Sequence, residues 1–361
     1  MPKLRRYLSW FILGICSIIL ITACDRGAYL EGNRSPNSST GDLATSVSSE
    51  SCRLVSHEMG ETEVCGQPQK VAALTPHILD SMLALGVQPA AYAETVDRRI
   101  QTYDNPTKQI PYIGKWVTTK PIGLGSRESP SLERLALLQP DLILGEKWSM
   151  EDKYPLLTQI APTLLFSDKH QANEPQSWKQ DIKGIAKALG REDRVEELFA
   201  AHDEQIAQAR SALQPVLQTY PRVFLINSDL STYVRSKAES TAGRLLKEIG
   251  FEIVQPKGIQ SDTEISFEIV PKVKTDLIIV LSSDRKLNLF NSPDALQDTF
   301  QKRWSNNPLL NSMPVFQQGR VYFVGYQLWG GRIRGPLADR LILEALPDLL
   351  RTSLEEKKPS A

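Results

Sequence analysis

The chain has 361 residues, of which 41% are hydrophobic, 23% charged and 7% aromatic. This is ordinary globular composition, which excludes a disordered tail protein or a collagen-like repeat, and the length predicts two domains, each able to bury its own core. Lys plus Arg and Asp plus Glu both number 42, so there is no basic excess for general binding to nucleic-acid phosphate.

The first 23 residues read as a targeting segment. Lys3, Arg5 and Arg6 form a basic start, and Leu8 to Ile21 is apolar. That stretch is short of the roughly 20 residues of a comfortable membrane span. It ends in Leu20-Ile21-Thr22-Ala23-Cys24, which looks like a bacterial lipobox, in which the cysteine is acylated and becomes the new N-terminus. An ordinary signal peptide with a chance cysteine, or a signal anchor, are the alternatives. Acyl chains on Cys24 predict stable anchoring to the cell membrane, with the body outside the cytoplasm and facing the periplasm. Residues 24–51 are rich in Gly, Ser, Thr, Asn and Asp without an apolar period, and read as a flexible tether.

Cys52 and Cys65 remain as a pair, and an oxidising compartment favours a disulfide between them. The residues between them alternate apolar and polar about Met59-Gly60, as in a β-hairpin. A loop this short gives about 3 kcal/mol on a chain-entropy argument. Two free thiols, or zinc with His57, are the alternatives.

Lys70–Leu74 reads as a buried strand, broken at Thr75-Pro76. Ile78–Leu85 has helical spacing and stops at Gly86, and Val87–Tyr92 reads as the next strand. Strand, helix, strand at this spacing predicts a parallel α/β sheet. Ser131–Leu138 is a short helix ended by Gln139-Pro140, and Asp141–Leu144 is another buried strand. The region from Gln176 to Leu213 is helical with a break at Leu189-Gly190. Arg191–Leu213 lacks Gly and Pro, which predicts one helix of about 35 Å. Strand Arg222–Ile226 then restarts the α/β rhythm. The expected organisation is an N-terminal lobe over 52–190, a linking helix over 191–214 and a C-terminal lobe over 215–361.

An internal repeat supports two lobes. SLERLALLQPDLILG at Ser131–Gly145 aligns with SFEIVPKVKTDLIIV at Ser266–Val280, matching Ser131 to Ser266, Glu133 to Glu268 and Asp141-Leu142-Ile143 to Asp276-Leu277-Ile278.

Catalytic motifs are missing: the sequence has no Walker loop, GxGxxG, GxSxG, HExxH or CxxC. The histidines His57, His77, His170 and His202 are scattered, and His202, inside the long helix, reads as solvated. No resident metal and no catalytic residue is expected. An exported chain of two lobes without a catalytic set reads as a binding module, with an exported hydrolase as the remote alternative.

Clefts between α/β lobes are default binding sites. Arg and aromatic residues in non-helical stretches therefore nominate Lys115-Trp116, the loop Gly125–Pro130 with Arg127, Tyr233-Val234-Arg235, Arg303-Trp304, and Tyr326–Pro336 with Trp329, Arg332 and Arg334. Arginine clamps carboxylates bidentately and keeps its charge, and aromatic walls add contact area and cation–π support. A surface ion pair is the plain alternative for any one of these arginines.

The run Gly125-Ser126-Arg127-Glu128-Ser129-Pro130-Ser131-Leu132-Glu133, followed by Pro140-Asp141-Leu142-Ile143, resembles the signature of iron–siderophore substrate-binding proteins of ABC importers. The hairpin residues His57-Glu58-Met59-Gly60 and the C-terminal Trp/Arg-Gly-Pro segment are also similar, and the likeness spans about residues 52 to 350. The ferric-citrate and ferric-hydroxamate branch is the nearest in pattern. The resemblance implies the class III periplasmic binding protein fold, in which two Rossmann-like α/β lobes are joined by one long helix as a rigid clamp. It implies a monomer that hands a ferric siderophore to permease subunits in the inner membrane, with the iron held by the siderophore. Arg127 would then contact the chelate from one lobe and Arg332 and Arg334 from the other. Trp116, Tyr233, Arg235 and Trp329 match less strictly. Glu133 and Glu268 would dock the permease. The Arg and Trp inventory favours carboxylate or citrate-hydroxamate siderophores, and catecholates, haem and cobalamin are alternatives within the family.

Overall fold

The computed structural model describes residues 51–95, 99–167, 178–228, 233–282, 302, 304 and 306–354. The signal segment, Cys24, most of the tether, His170 and Arg303 lie outside the described residues.

The chain opens with the expected hairpin. Strands β1 (Cys52–His57) and β2 (Gly60–Cys65) pair antiparallel with Cys52 opposite Cys65, and a disulfide joins the two. Alternation sends Val55 and Val64 inward and leaves Leu54 half exposed.

The N-terminal lobe follows as β3 (Val71–Ala73), α1 (Pro76–Ala84), β4 (Ala91–Glu94), α2 (Pro106–Gln109), β5 (Ile122–Ser126), β6 (Ser129–Pro130), α3 (Leu132–Leu138), β7 (Leu142–Glu146), α4 (Lys147–Met150), α5 (Tyr154–Leu157) and β8 (Thr163–Phe166). Its sheet has the order β6-β5-β4-β3-β7-β8 and is parallel except for β6. Buried on both faces, β3 and residues 142–144 of β7 are continuous apolar runs, and β7 ends in the buried Glu146. The Thr75 hydroxyl caps α1 by accepting from the Ile78 N–H, and Pro76 occupies the first turn, where no N–H is needed. The strand expected at Val87–Tyr92 begins only at Ala91, because Gly86 turns the chain at φ 81° and Pro89 has no N–H to pair.

Helices α6 (Asp181–Leu189), α7 (Val195–Ala212) and α8 (Gln214–Thr219) come next. The unbroken helix expected over 191–214 is shorter in the structure, because Glu192–Arg194 form a 3₁₀ turn and Pro215 opens α8. The 18 residues of α7 span about 27 Å. Arg53 of the hairpin donates to the Lys187, Ala188 and Gly66 carbonyls, capping the exposed end of α6.

The C-terminal lobe holds β9 (Arg222–Ser228), β10 (Tyr233–Ser236), α9 (Thr241–Ile249), β11 (Glu252–Val254), β12 (Glu264–Ser266), a 3₁₀ helix at Phe267–Lys272, β13 (Leu277–Ser282), β14 (Val321–Gly325) and a C-terminal helix at Pro336–Arg351. Its sheet has the order β12-β10-β9-β13-β14, with β11 also on β9. The repeat seen in sequence is structural. Ser131 caps α3 and Ser266 caps the 3₁₀ helix, which contains Pro271. Asp141 then accepts from the Lys70 N–H, and Asp276 from the Arg222 N–H, so each aspartate pins the start of the neighbouring strand.

The largest apolar core runs through both lobes, from Val71, Ile78 and Ile182 to Leu225, Ile342 and Leu346. Separate clusters cover the opposite faces of the two sheets, around Ile143 and Leu165 in one lobe and Phe224 and Trp304 in the other. His202 corrects the expectation of a solvated side chain. It is 2% exposed, because the C-terminal helix packs over α7 and its Asp339 accepts from His202 Nε2 at 3.1 Å. No helix among the described residues is long and apolar enough to cross a membrane.

Candidate functional site

A cavity of about 300 Å³ opens between the two lobes. Most of its walls come from residues that follow the carboxyl ends of strands, where open α/β sheets bind ligands, with Asp262 standing just before β12.

On the N-terminal side, Arg127 stands at the tip of the turn between β5 and β6. Its N–H donates to the Glu94 carbonyl at 2.7 Å, which ties the turn to the end of β4. Its guanidinium lies 4.7 Å from the centre of the Trp148 ring on α4, and its Nε donates to Glu128 Oε1 at 3.2 Å. On the C-terminal side the centre is Tyr326, directly after β14. The Lys237 ammonium donates to the Tyr326 hydroxyl at 3.2 Å and sits 5.2 Å from its ring centre, and it also pairs with Asp262. The Arg332 guanidinium lies 5.5 Å from the same ring. Gly330 is required here, because a Cβ would come 2.5 Å from the Tyr326 ring.

Four cations, Arg127, Lys237, Arg332 and Arg334, therefore line the cavity against two carboxylates, Glu239 and Asp262. Among the described residues Arg332 forms no ion pair and is exposed. Arg334 differs, with a side chain 9% exposed whose Nη2 lies 2.7 Å from Glu146 Oε1 at the end of β7 and donates to the Ser167 carbonyl at 2.9 Å. Glu146 Oε1 and Arg334 Nε make no well-aligned hydrogen bond, so charge more than alignment holds the pair. Burial alone would raise the Glu146 carboxyl. The Arg334 guanidinium outweighs it with help from His77, a Thr75 hydrogen bond and Arg127, and holds the pKa below the ordinary value.

Under the cavity the lobes meet in a seam of buried charge. His77 Nδ1 donates to the Arg334 carbonyl at 2.8 Å, and its Nε2 faces Asp181 Oδ2 at 3.1 Å. Asp80 on α1 accepts from the Leu337 and Ala338 N–H groups, the first of the C-terminal helix, at 3.0 and 2.8 Å. Gly335 passes so close to Asp80 that a Cβ would come 2.2 Å from Oδ1. Burial pushes the Asp80 carboxyl up to about 7, and the Asp339 charge adds to the rise, against the pull of the two N–H groups. Asp339 joins Arg244 of α9, His202 of α7 and Trp178, whose Nε1 donates at 2.8 Å.

Three of the residues expected from sequence, Arg127, Arg332 and Arg334, line the cavity, and the others stand elsewhere. Trp116 packs against the core with Lys115 over its ring, and Trp329 is 7% exposed within the core. Arg235 is exposed on β10 and pairs with Glu264 of β12. Tyr233 begins β10 opposite Ser266. Glu133 and Glu268 are both exposed in the first turns of equivalent helices. Trp148 and Lys237 are lining residues outside the stretches nominated from sequence, and Tyr326 opens the nominated stretch Tyr326–Pro336 without having been singled out in it. Each follows the end of a strand, which is the signal that finds them.

Two helix-bridged α/β lobes with a polar cleft at their strand ends define the class III architecture of solute-binding proteins. Residues 71–328 match the family of that kind described as Periplasmic binding protein, and the chain belongs to it. The chain is 25% identical over 328 residues to the Fe(3+)-citrate-binding protein YfmC of Bacillus subtilis (strain 168), covering 90% of this chain and 92% of the relative. It is 24% identical over 289 residues to the Fe(3+) dicitrate-binding periplasmic protein FecB of Escherichia coli (strain K12), covering 79% and 85%. The crystal structure of Staphylococcus aureus SirA complexed with staphyloferrin B superposes with a TM-score of 0.63 at 22% identity, covering 83% of this chain and 98% of that one.

Proposed function

We propose that this protein binds a ferric siderophore in the cleft between its lobes and delivers it to an ABC-type permease for iron uptake. The observation that carries the reading is the cation lining of the cavity, in which Arg332 beside Tyr326 has no carboxylate partner among the described residues and Arg127 is laid on Trp148. Ferric chelates of the carboxylate type present several anionic oxygens, which such a set of guanidinium and ammonium groups neutralises. Family membership and relatives named for ferric citrate point the same way. Binding and handing over a solute calls for no catalytic group, and the protein is read as a carrier rather than an enzyme. Acylated Cys24 holds the body at the outer side of the cell membrane, and Glu133 and Glu268, one on each lobe, meet the two permease subunits.

The test is a titration of intrinsic tryptophan fluorescence with ferric citrate, a ferric hydroxamate, a ferric catecholate, haem and cobalamin. Saturable binding of a ferric chelate, tightest for a carboxylate type, is the expected result. Preference for haem or cobalamin overturns the reading. For docking, Glu133→Ala with Glu268→Ala should leave chelate affinity unchanged and lower uptake into cells. For anchoring, Cys24→Ser should move the protein from the membrane fraction to the soluble one.

A further inference from the structure

We propose that Glu146 is a positioning residue of the cleft: it holds Arg334 as a strut between the lobes and thereby fixes Arg332, on the same loop, as the guanidinium that meets the chelate. The proposal rests on the reading of the cleft as the chelate site.

Glu146 belongs to the N-terminal lobe and is 1% exposed at the end of β7, while Arg334 comes from the other lobe. Their 2.7 Å contact crosses the floor of the cleft, and the Ser167 carbonyl takes the same guanidinium from the same side. The backbone of Arg334 is held as well, through its carbonyl to His77. Side chain and main chain of one residue are thus tied to the opposite lobe, at the point where the loop from Gly330 turns into the C-terminal helix. Among the described residues Arg332 has no such ties, and its guanidinium lies 5.5 Å from the centre of the Tyr326 ring. The charge of Arg334 is spent within the protein, and that of Arg332 is open to a ligand. A buried cation without its carboxylate would seek water or another anion, so loss of Glu146 should release Arg334 and displace the loop that carries Arg332.

The experiment is a double-mutant cycle on ferric-citrate affinity, read by tryptophan fluorescence, with Arg332→Gln, Glu146→Gln and the two combined. Each single change should weaken binding about tenfold or more, as loss of a charge-assisted contact does. The combination should be no weaker than Arg332→Gln alone to within about twofold, because the effect of Glu146 runs through Arg332. Losses that multiply overturn the proposal, since a general weakening of the lobes would act with or without Arg332. Should Glu146→Gln not fold, Glu146→Leu with Arg334→Met removes both charges at similar volume and enters the same cycle. A ligand-free arm maps phenylglyoxal modification by mass spectrometry. Arg332 should react and Arg334 be protected in the native protein, and Arg334 should become reactive in Glu146→Gln. Equal reactivity in the native protein, or unchanged protection in the variant, overturns the proposal. If the native protein binds no ferric citrate, the reading of the cleft is what fails, and the chemical arm alone decides the positioning.

Discussion

Arg332 and Arg334 sit on one loop, separated by Ile333, and have the same chemistry in opposite surroundings. Arg332 is exposed beside an aromatic ring, whereas Arg334 is buried against Glu146 and a backbone carbonyl. The same contrast divides the cleft from the seam beneath it. In the cleft, Arg332 is exposed and has no carboxylate partner among the described residues, and Arg127 is partly exposed on the Trp148 ring. In the seam, every arginine meets a carboxylate, and Asp80 meets helix N–H groups. Water decides the difference. An exposed guanidinium keeps its hydration until a ligand arrives, while a buried one must find its counter-charge during folding. A shared apolar core also links the lobes, so packing as well as the Glu146–Arg334 pair joins the two walls of the cleft.

The strongest way to break this comparison is to remove each arginine in turn. Arg334→Ala leaves Glu146 as an unpaired buried carboxylate and should cost about 3–5 kcal/mol of stability. Arg332→Ala should stay within about 0.5 kcal/mol, as for other surface substitutions. Urea unfolding of both variants measures this, and equal losses would erase the distinction between cleft and seam.

The hairpin offers a sharper boundary. Cys52→Ala with Cys65→Ala removes the disulfide and should cost about 3 kcal/mol by loop-closure entropy. Arg53, beside Cys52, should then hold α6 less firmly, as faster amide exchange at Lys187–Gly190 would show. Chelate affinity should not change, because neither cysteine lines the cavity. A large loss of affinity would mean that the hairpin supports the cleft directly.

Asp80 tests the seam through pH. Its carboxyl lies at about 7 against an ordinary 3.8, so the folded protein holds this proton where the unfolded chain has released it. The stabilisation from that proton is complete below 3.8 and is lost as pH rises to about 7. Within the window, stability should fall by up to about 1.4 kcal/mol per pH unit. Asp80→Asn removes this component, so the difference between native and variant unfolding free energies should slope across the window and level off above it. A flat difference would mean that the two helix N–H groups keep Asp80 ionised throughout.

Elements set by local rules were legible from sequence. The hairpin followed from alternation about Met59-Gly60, α1 from Thr75-Pro76, and the paired helix–strand units from Ser131, Ser266 and their following aspartates. Arg127 was legible because it stands in a glycine-containing turn at a strand end, where open α/β sheets bind ligands. What escaped depends on elements far apart in the chain. Nothing local to Glu146 announces that Arg334 will arrive from the other lobe, and nothing local to His202 announces Asp339. Trp116 and Trp329 carry the composition of a ligand wall, yet the packing of neighbouring elements turns them into core. Lys237 and Tyr326 become a pair only when the ends of β10 and β14 converge.

Arg235 is the smallest expected effect and the finest test of where the cleft ends. Like Arg332 it is an exposed arginine of the C-terminal lobe near an aromatic residue in sequence. Unlike Arg332 it pairs with a carboxylate, Glu264 on the neighbouring strand, and it lies outside the cavity lining. Exposed pairs of this kind contribute about 0–1 kcal/mol, because both groups are well hydrated apart and screened by salt when together. Arg235→Ala should therefore shift the unfolding free energy by less than about 1 kcal/mol and leave ferric-citrate affinity where it was. A loss of affinity comparable with that of Arg332→Gln would extend the cleft over the face of β10 and would make the Glu264 pair a resting partner that the chelate displaces. An unchanged affinity keeps the binding surface at Arg127, Lys237, Tyr326 and Arg332, where three cations lie against the Trp148 and Tyr326 rings.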